Sequence, residues 1–273
     1  MNPFEAVVLG LIQGITEFLP ISSSAHLRIF GDLFGWGDPG AAFTAVVQIG
    51  TEIAVLVYFR RKIWSIVRTW TRSLVRPGLR GELDARMGWY VILGSIPIAV
   101  LGLVFEEQIQ TAARDLRLIA ATLIVLGVVL FVADRSGSHT VQLKQLTLRD
   151  AVLFGLAQAC ALVPGVSRSG ATISMGLALG YRRADAAEYA FLLAVPAVLG
   201  SGIFQLPDVA ALGREEVVGA GIASVVAFIV GYATIAWLLR YVSTHDYRLF
   251  VVYRIALGLG VIALLTTGVL MPR

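Results

Sequence analysis

Two short polar stretches interrupt an otherwise apolar chain, and their residue types are those that handle phosphate. The first reads LGLIQGITEFLPISSSAH over residues 9–26. Gln13 and Glu17 are four apart, so on a helix they share one face. A carboxylate as deep in an apolar run as Glu17 is costly unless a cation or metal meets it. Pro20 ends that helix, Ser22, Ser23 and Ser24 are candidate caps for the next one, and His26 falls in its first turn. The second stretch reads AQACALVPGVSRSGAT over residues 157–172. Pro164 and Gly165 make a turn, and Ser167, Arg168, Ser169 and Thr172 begin the outgoing helix. Free amides at a helix start, small hydroxyls and a guanidinium form an anion site suited to phosphate. The partner expected for Arg168 is Glu17, a phosphate, or both.

Each of these residues has a plainer reading. Serines cap helices or bond backbone carbonyls in membrane segments, and a Glu17–Arg168 pair could serve only to hold two segments in register. The functional reading rests on convergence, because Glu, Gln, His, Arg and hydroxyls gather at the two breaks. Other membrane polar residues rank lower. Gln48 and Glu52 are four apart and could line the same cavity, although Glu52 could instead pair with Arg254. Glu188, near the end of a span, is expected to be solvated.

The elements that must position these groups follow from composition. The chain has 273 residues, 57% hydrophobic and 15% charged, with a mean hydropathy of +0.80. A soluble domain carries about 25% charged residues, so an integral membrane protein is implied. The single cysteine, Cys160, excludes an intramolecular disulfide, a thiolate zinc cluster and a CxxC redox site. The net charge of +4 is no nucleic-acid footprint, since most Lys and Arg lie in short loops between apolar runs. The N-terminal run lacks a basic start and carries Glu5, Gln13 and Glu17, which a cleaved signal peptide should not.

Six stretches are long enough to cross a bilayer as helices: residues 41–59, 87–105, 117–133, 187–206, 217–239 and 250–270. Residues 3–34, broken at Pro20–Ser24, and 151–180, broken at Pro164–Ser169, read as re-entrant hairpins, which exist at membrane depth only where protein or a wet cavity satisfies the backbone. The expected fold is therefore an all-α polytopic membrane protein of six transmembrane helices plus two re-entrant helical hairpins, in one membrane domain over 1–273. Loops 60–86, 134–150, 181–186 and 240–249 hold 8, 3, 2 and 2 of the 22 Lys and Arg. Basic loops stay cytoplasmic, which places both termini outside and reads 60–86 as an ordinary anchoring loop. Trp36, Trp64, Trp70, Trp89 and Trp237 mostly fall near the interfaces, as aromatic belts do.

At an offset of 145 residues, Gly10, Leu11, Gln13, Ser22 and Ser24 recur as Gly155, Leu156, Gln158, Ser167 and Ser169. Three crossings lie between the copies, so the second is expected upside down, giving inverted repeats of about 1–133 and 150–270. In that architecture the tips of broken helices meet near the midplane and form the site.

QGITEFLPISSSAH and PGVSRSGAT, together with AAFTAVVQIGTEIAVLVYFRR, resemble the undecaprenyl-diphosphate phosphatase family, the bacitracin-resistance type of bacterial membrane phosphatase. The likeness covers essentially the whole chain. It implies hydrolysis of undecaprenyl diphosphate to undecaprenyl phosphate and inorganic phosphate, recycling the lipid carrier of peptidoglycan synthesis in the bacterial inner (cytoplasmic) membrane and conferring bacitracin resistance. It also implies a divalent cation, Mg2+ or Ca2+. Carried over by position, the glutamate motif maps to Gln13 and Glu17, the Ser and His to Ser23 and His26, and the phosphate-binding Arg to Arg168, with Ser167, Ser169 and Thr172 around it. Gln13 stands where some members have Glu, so it enters as a neutral ligand of metal or phosphate. Thr44 stands where some relatives carry an acidic residue, with Glu52 nearby.

On this reading Arg168 and the helix-start amides hold the diphosphate, helped by Ser22, Ser167, Ser169 and Thr172, and Glu17 with Gln13 binds the cation. Either Ser23 attacks with His26 as base, or a metal-bound water attacks and Ser23 orients phosphate. The partners expected are a polyprenyl diphosphate and membrane lipids, with no nucleic acid; a homodimer is left open. The cavity is expected to face outward. An inverted-repeat secondary transporter or polyprenyl-phosphate flippase is the alternative, separated by whether phosphate is released.

Overall fold

The computed structural model describes residues 1–37, 40–105, 109, 115–205 and 213–272. Arg114 and Arg273, expected on the outer side because they lie outside the basic cytoplasmic loops, and Leu206, at the end of a predicted span, lie outside the described residues. Among the described residues eleven α-helices follow one another: α1 (Pro3–Thr16), α2 (Ser23–Leu33), α3 (Gly40–Tyr58), α4 (Arg60–Val75), α5 (Leu83–Val104), α6 (Leu116–Ser136), α7 (Leu148–Ala159), α8 (Arg168–Ala178), α9 (Arg183–Phe204), α10 (Arg214–Val242) and α11 (Arg248–Thr266). No β-strand occurs among the described residues; a lone bridge joins Val141 to Tyr181.

Among the described residues five helices, α5, α6, α9, α10 and α11, are long and apolar enough to cross a membrane, and α3 makes a sixth when taken with α4, to which it is bent by 79°. Their outward faces carry side chains that water would not tolerate in such number, among them Val125, Val225, Ile229, Val252 and Leu259, each more than half exposed. A lipid surround accounts for them. The protein is thus a multi-pass membrane protein.

Residues 60–86 are not an ordinary loop. Ile63, Ile66 and Trp70 recur at helical spacing, and α4 turns that stripe inward and lies against α5, where Gly88 lets Trp70 pack directly on the backbone; a Cβ there would stand 2.6 Å from Trp70 Cγ. The basic residues take the other face of α4. Glu188 is not simply solvated, since Lys62 Nζ lies 3.1 Å from its Oε1 and ties α4 to α9.

The offset of 145 extends from sequence into backbone. α2 and α8 are both 11 residues long, and their caps, Ser22 and Ser167, both sit at positive φ, 74° and 71°. The Ser22 hydroxyl accepts from the Ala25 amide at 3.4 Å and the Ser167 hydroxyl from the Gly170 amide at 3.1 Å. Both helices end on a left-handed glycine, Gly35 and Gly180, followed by matching bonds from the Trp36 amide to the Gly31 carbonyl (2.8 Å) and from the Tyr181 amide to the Gly176 carbonyl (2.9 Å). The first arms repeat as well. α1 packs on α10 through Gly10, where a Cβ would stand 2.5 Å from the Ala223 carbonyl oxygen, and α7 packs on α5 through Gly155, where it would stand 2.3 Å from that of Gly94. Around these pairs, α3 lies against α10 and α6 against α11.

Candidate active site

Both breaks open on one cavity. α1 stops at Thr16 because Pro20 cannot continue it, and α2 restarts at Ser23; α8 restarts at Arg168 after Pro164 and Gly165. The two helix starts thereby present Ser22, Ser23 and Ser24 from one side and Ser167 and Arg168 from the other to a cavity of about 730 Å³. Its remaining wall is largely apolar, built by Ile92, Ile96 and Leu103 of α5 and Pro196, Val198 and Phe204 of α9, with Gln48 at its edge. Two helix N-termini and a guanidinium over an apolar trough suit a phosphorylated head on a hydrocarbon chain.

Glu17 is the centre of the polar cluster. Arg168 Nη2 forms an ion pair with its Oε1. Its Oε2 accepts two bonds, from Gln13 Nε2 at 2.9 Å and from Ser23 Oγ at 2.6 Å. The shared helix face of Gln13 and Glu17 and the pairing of Glu17 with Arg168 are thus both observed. Ser169 Oγ donates to the backbone carbonyls of Glu17 (3.2 Å) and Leu19 (3.0 Å), fastening the second break to the first. Three side-chain donors, from Gln13, Ser23 and Arg168, thus meet on this one carboxylate.

Other residues named from the sequence point elsewhere. His26 does not reach Ser23. Its Nδ1 lies 2.7 Å from the Ser22 carbonyl and its Nε2 2.7 Å from the Tyr253 hydroxyl. A carbonyl only accepts, so Nδ1 carries the proton and Nε2 takes a bond from Tyr253. The group on the Ser23 hydroxyl is therefore Glu17. Thr172 is fully buried and turns back on its own helix, donating to the Arg168 carbonyl at 2.7 Å. Ser22 and Ser167 border the cavity while their hydroxyls cap helices and bond Ser24 (3.2 Å) and Ser169 (3.1 Å).

Arg254 does not pair with Glu52. Fully buried, it reaches from α11 to backbone carbonyls of both turns: Nη1 donates to Pro20 at 2.9 Å, and Nη2 to Gly165 at 2.9 Å and Val166 at 3.1 Å, while Nε donates to Leu123 of α6 at 3.2 Å. Carbonyls exposed at a helix break in a membrane must find donors, and one guanidinium with five N–H groups supplies them for both breaks. Gly170 leaves room for it, since a Cβ there would lie 2.9 Å from Arg254 Nη1. Sequence reasoning set Arg254 aside as a packing partner; an arginine inside VVYRIALG with no acid at helical spacing was the available signal.

Among the described residues, no three His, Cys, Asp or Glu gather as a metal site. The oxygens on offer are the Glu17 carboxylate and Gln13 Oε1, which is buried without a hydrogen-bond partner. Glu17 lines the cavity, and its carboxylate fits Mg2+ or Ca2+ held mainly by substrate phosphates, because hard cations need oxygen ligands and accept them from phosphate; Gln13, which lines neither cavity, stands behind Glu17.

Residues 6–260 match the family model described as bacitracin resistance protein BacA. An undecaprenyl-diphosphatase of Nocardioides sp. is 61% identical over 269 residues, covering 97% of each chain. One from Thermobifida fusca is 56% identical over 276 residues, covering all of this chain and 94% of the relative. Undecaprenyl-diphosphatase 2 of Streptomyces avermitilis is 54% identical over 285 residues, covering all of this chain and 98% of the relative.

Proposed function

The chain belongs to the bacitracin resistance protein BacA family, and from that premise we propose that its two breaks form the active site of a membrane phosphatase. The enzyme hydrolyses undecaprenyl diphosphate to undecaprenyl phosphate and inorganic phosphate, which returns the lipid carrier to peptidoglycan synthesis and confers bacitracin resistance. The observation that carries the reading is the Glu17 carboxylate, bonded to Ser23 at one helix start and to Arg168 at the other.

The lipid lies along the apolar wall with its diphosphate between the helix starts. Phosphoryl transfer asks chiefly for positioning and charge stabilisation. Arg168 and the first amides of α2 and α8 bind the terminal phosphate, with Ser22 and Ser167 at the rim. Glu17 takes the proton of Ser23 as its Oγ attacks the terminal phosphorus; undecaprenyl phosphate leaves, and water then releases phosphate from the serine. The 2.6 Å bond from Ser23 to Glu17 supports this version, and general-base help of this kind needs that reach. His26 holds the Ser22 carbonyl and so aims Ser23. Glu17, with Gln13 behind it, would hold a divalent cation, Mg2+ or Ca2+, which would supply charge neutralisation at the diphosphate.

The cavity opens to the outer face of the inner membrane, a reading supported by the basic face of α4 and the basic loops on the opposite side of the spans. Six spans and two re-entrant hairpins in inverted repeats are supported by the cap and glycine geometry that recurs at 145 residues. Labelling of single-cysteine variants near Ser23 by an impermeant thiol reagent tests the orientation, in a Cys160→Ser background because Cys160 is itself exposed. Phosphate release in detergent, where transport has no meaning, tests the activity. A purified chain that binds undecaprenyl diphosphate and releases no phosphate would overturn the reading in favour of a flippase.

A further inference from the structure

Behind the Glu17–Arg168 pair lies a second, much smaller cavity of about 10 Å³, lined by Glu17, Arg168, Ser169, Phe18, Val55 and Glu52 among others. That is room for one water. Glu17 and Arg168 border both this space and the large cavity, whereas Glu52 borders only the small one. Glu52 is 3% exposed, and its Oε1 has no hydrogen-bond partner. The charged groups that act on it are Arg168 and Glu17. From α9 the small cavity is lined by Ala190, Phe191 and Ala194. Its backbone is held close to α10, since a Cβ on Gly50 would stand 2.2 Å from the Ser224 carbonyl oxygen.

A buried carboxyl oxygen without a partner is rare enough to need a cause. Packing supplies none, because an apolar side chain would fill the same place among Phe, Val and Ala without the desolvation cost. The polar inventory around the small cavity is that of a water site: acceptors on Glu52 and Glu17, donors on Arg168, and a hydroxyl on Ser169. We propose that Glu52 is a positioning residue of the phosphatase site, joined through one buried water to the Glu17–Arg168 pair. It holds the guanidinium from behind, so that the donors facing the large cavity remain aimed at the diphosphate. The inference rests on the phosphatase reading and extends it to a third ionisable side chain, from a helix outside both breaks.

The test uses the full chain in detergent, with phosphate release from undecaprenyl diphosphate and calorimetric binding of methylenediphosphonate, a diphosphate that cannot be hydrolysed. Glu52→Leu should keep or raise the melting temperature while kcat falls about tenfold and methylenediphosphonate binds several-fold more weakly, the scale of effect expected when a binding group loses its aim. Glu52→Gln, whose amide oxygen can still accept from the water, should lose only about threefold. Stability that holds while affinity drops is an outcome a purely structural carboxyl would not produce. Glu52→Leu within twofold of the parent in both rate and affinity would overturn the proposal; so would Glu52→Gln matching the parent should the leucine variant fail to fold. If the parent binds methylenediphosphonate in a Glu52-dependent way and yet releases no phosphate, the phosphatase reading fails and the positioning role stands.

Discussion

The two breaks have one backbone and two chemistries. Ser22 and Ser167 cap their helices with the same φ and the same bond to the amide three residues on, and Ser24 and Ser169 follow in register. Between them the copies diverge: Ser23 occupies the place of Arg168, His26 that of Ala171, and Glu17 that of Leu162. What recurs is the device that keeps a broken helix satisfied inside a membrane. What differs is what reacts. On the proposed mechanism the first break supplies the nucleophile and its base and the second supplies the cation, so that neither works without its counterpart. Gln158, the counterpart of Gln13, makes the division plain. It is buried with neither amide atom bonded, since no carboxylate stands where Glu17 stands in the first copy.

The division predicts that exchanging charge between the breaks is worse than trimming either. Arg168→Ala should lower kcat/KM by about 10³-fold or more, since it removes the phosphate clamp and strands Glu17, and single preorganised donors alone are worth 10²–10³. Arg168→Lys should recover little, because a point charge cannot keep the Glu17 bond and a phosphate contact together. Phosphate-release kinetics on folded, detergent-extracted protein give the answer; a near-normal lysine variant would break the clamp idea. Glu17→Gln should cost about 10²-fold in kcat with a smaller change in KM, as expected for a lost general base. Single-turnover labelling with terminally labelled substrate should then place phosphate on Ser23 in the parent and leave Ser23→Ala unlabelled.

Arg254 joins the halves and so tests whether they must stay in register. Arg254→Met leaves carbonyls of both turns without donors, at about 1–3 kcal/mol for each unsatisfied group. The melting temperature should fall by more than for any other substitution proposed, with activity lost alongside it. Gly170→Ala, which crowds Arg254 Nη1, should produce a milder version of both effects.

How far these roles were legible depends on whether their partners are side chains. The Glu17–Arg168 pair was readable because two charges in an apolar chain have few ways to be satisfied, and the Gln13–Glu17 bond because helices place i and i+4 together. Arg254 was not, because its partners are carbonyls of three distant segments, which leave no mark on residue type. Thr172 and His26 sit in the right motif, but rotamer and local backbone send them to Arg168's carbonyl and to Ser22 and Tyr253. α4 was hidden by its arginines, which read as topology until the Ile63, Ile66 and Trp70 stripe is set beside them. Five of the expected spans followed from hydropathy, with α5 and α10 running a few residues past the apolar cores that announced them, whereas the expected span at 41–59 qualifies only when α3 is taken together with α4.

The smallest effects separate scaffold from chemistry most cleanly. Ser22→Ala and Ser167→Ala each remove an N-cap, a loss of about 1 kcal/mol. Glycine at either place should cost only a few tenths of that or even stabilise, because glycine is a tolerable cap and adopts positive φ freely. The two alanine variants should therefore melt within a degree or two of each other, and the two glycine variants close to the parent. Activity should not follow the same symmetry. Ser22 also fixes, through its carbonyl, the His26 ring and the approach of Ser23, so loosening this cap disturbs the nucleophile, whereas Ser167 precedes a residue already anchored by its ion pair to Glu17. Ser22→Ala should lower kcat several-fold more than Ser167→Ala at equal loss of stability. Equal losses of both would show that the two breaks share catalysis as they share backbone, and the division of labour drawn between them would have to be abandoned.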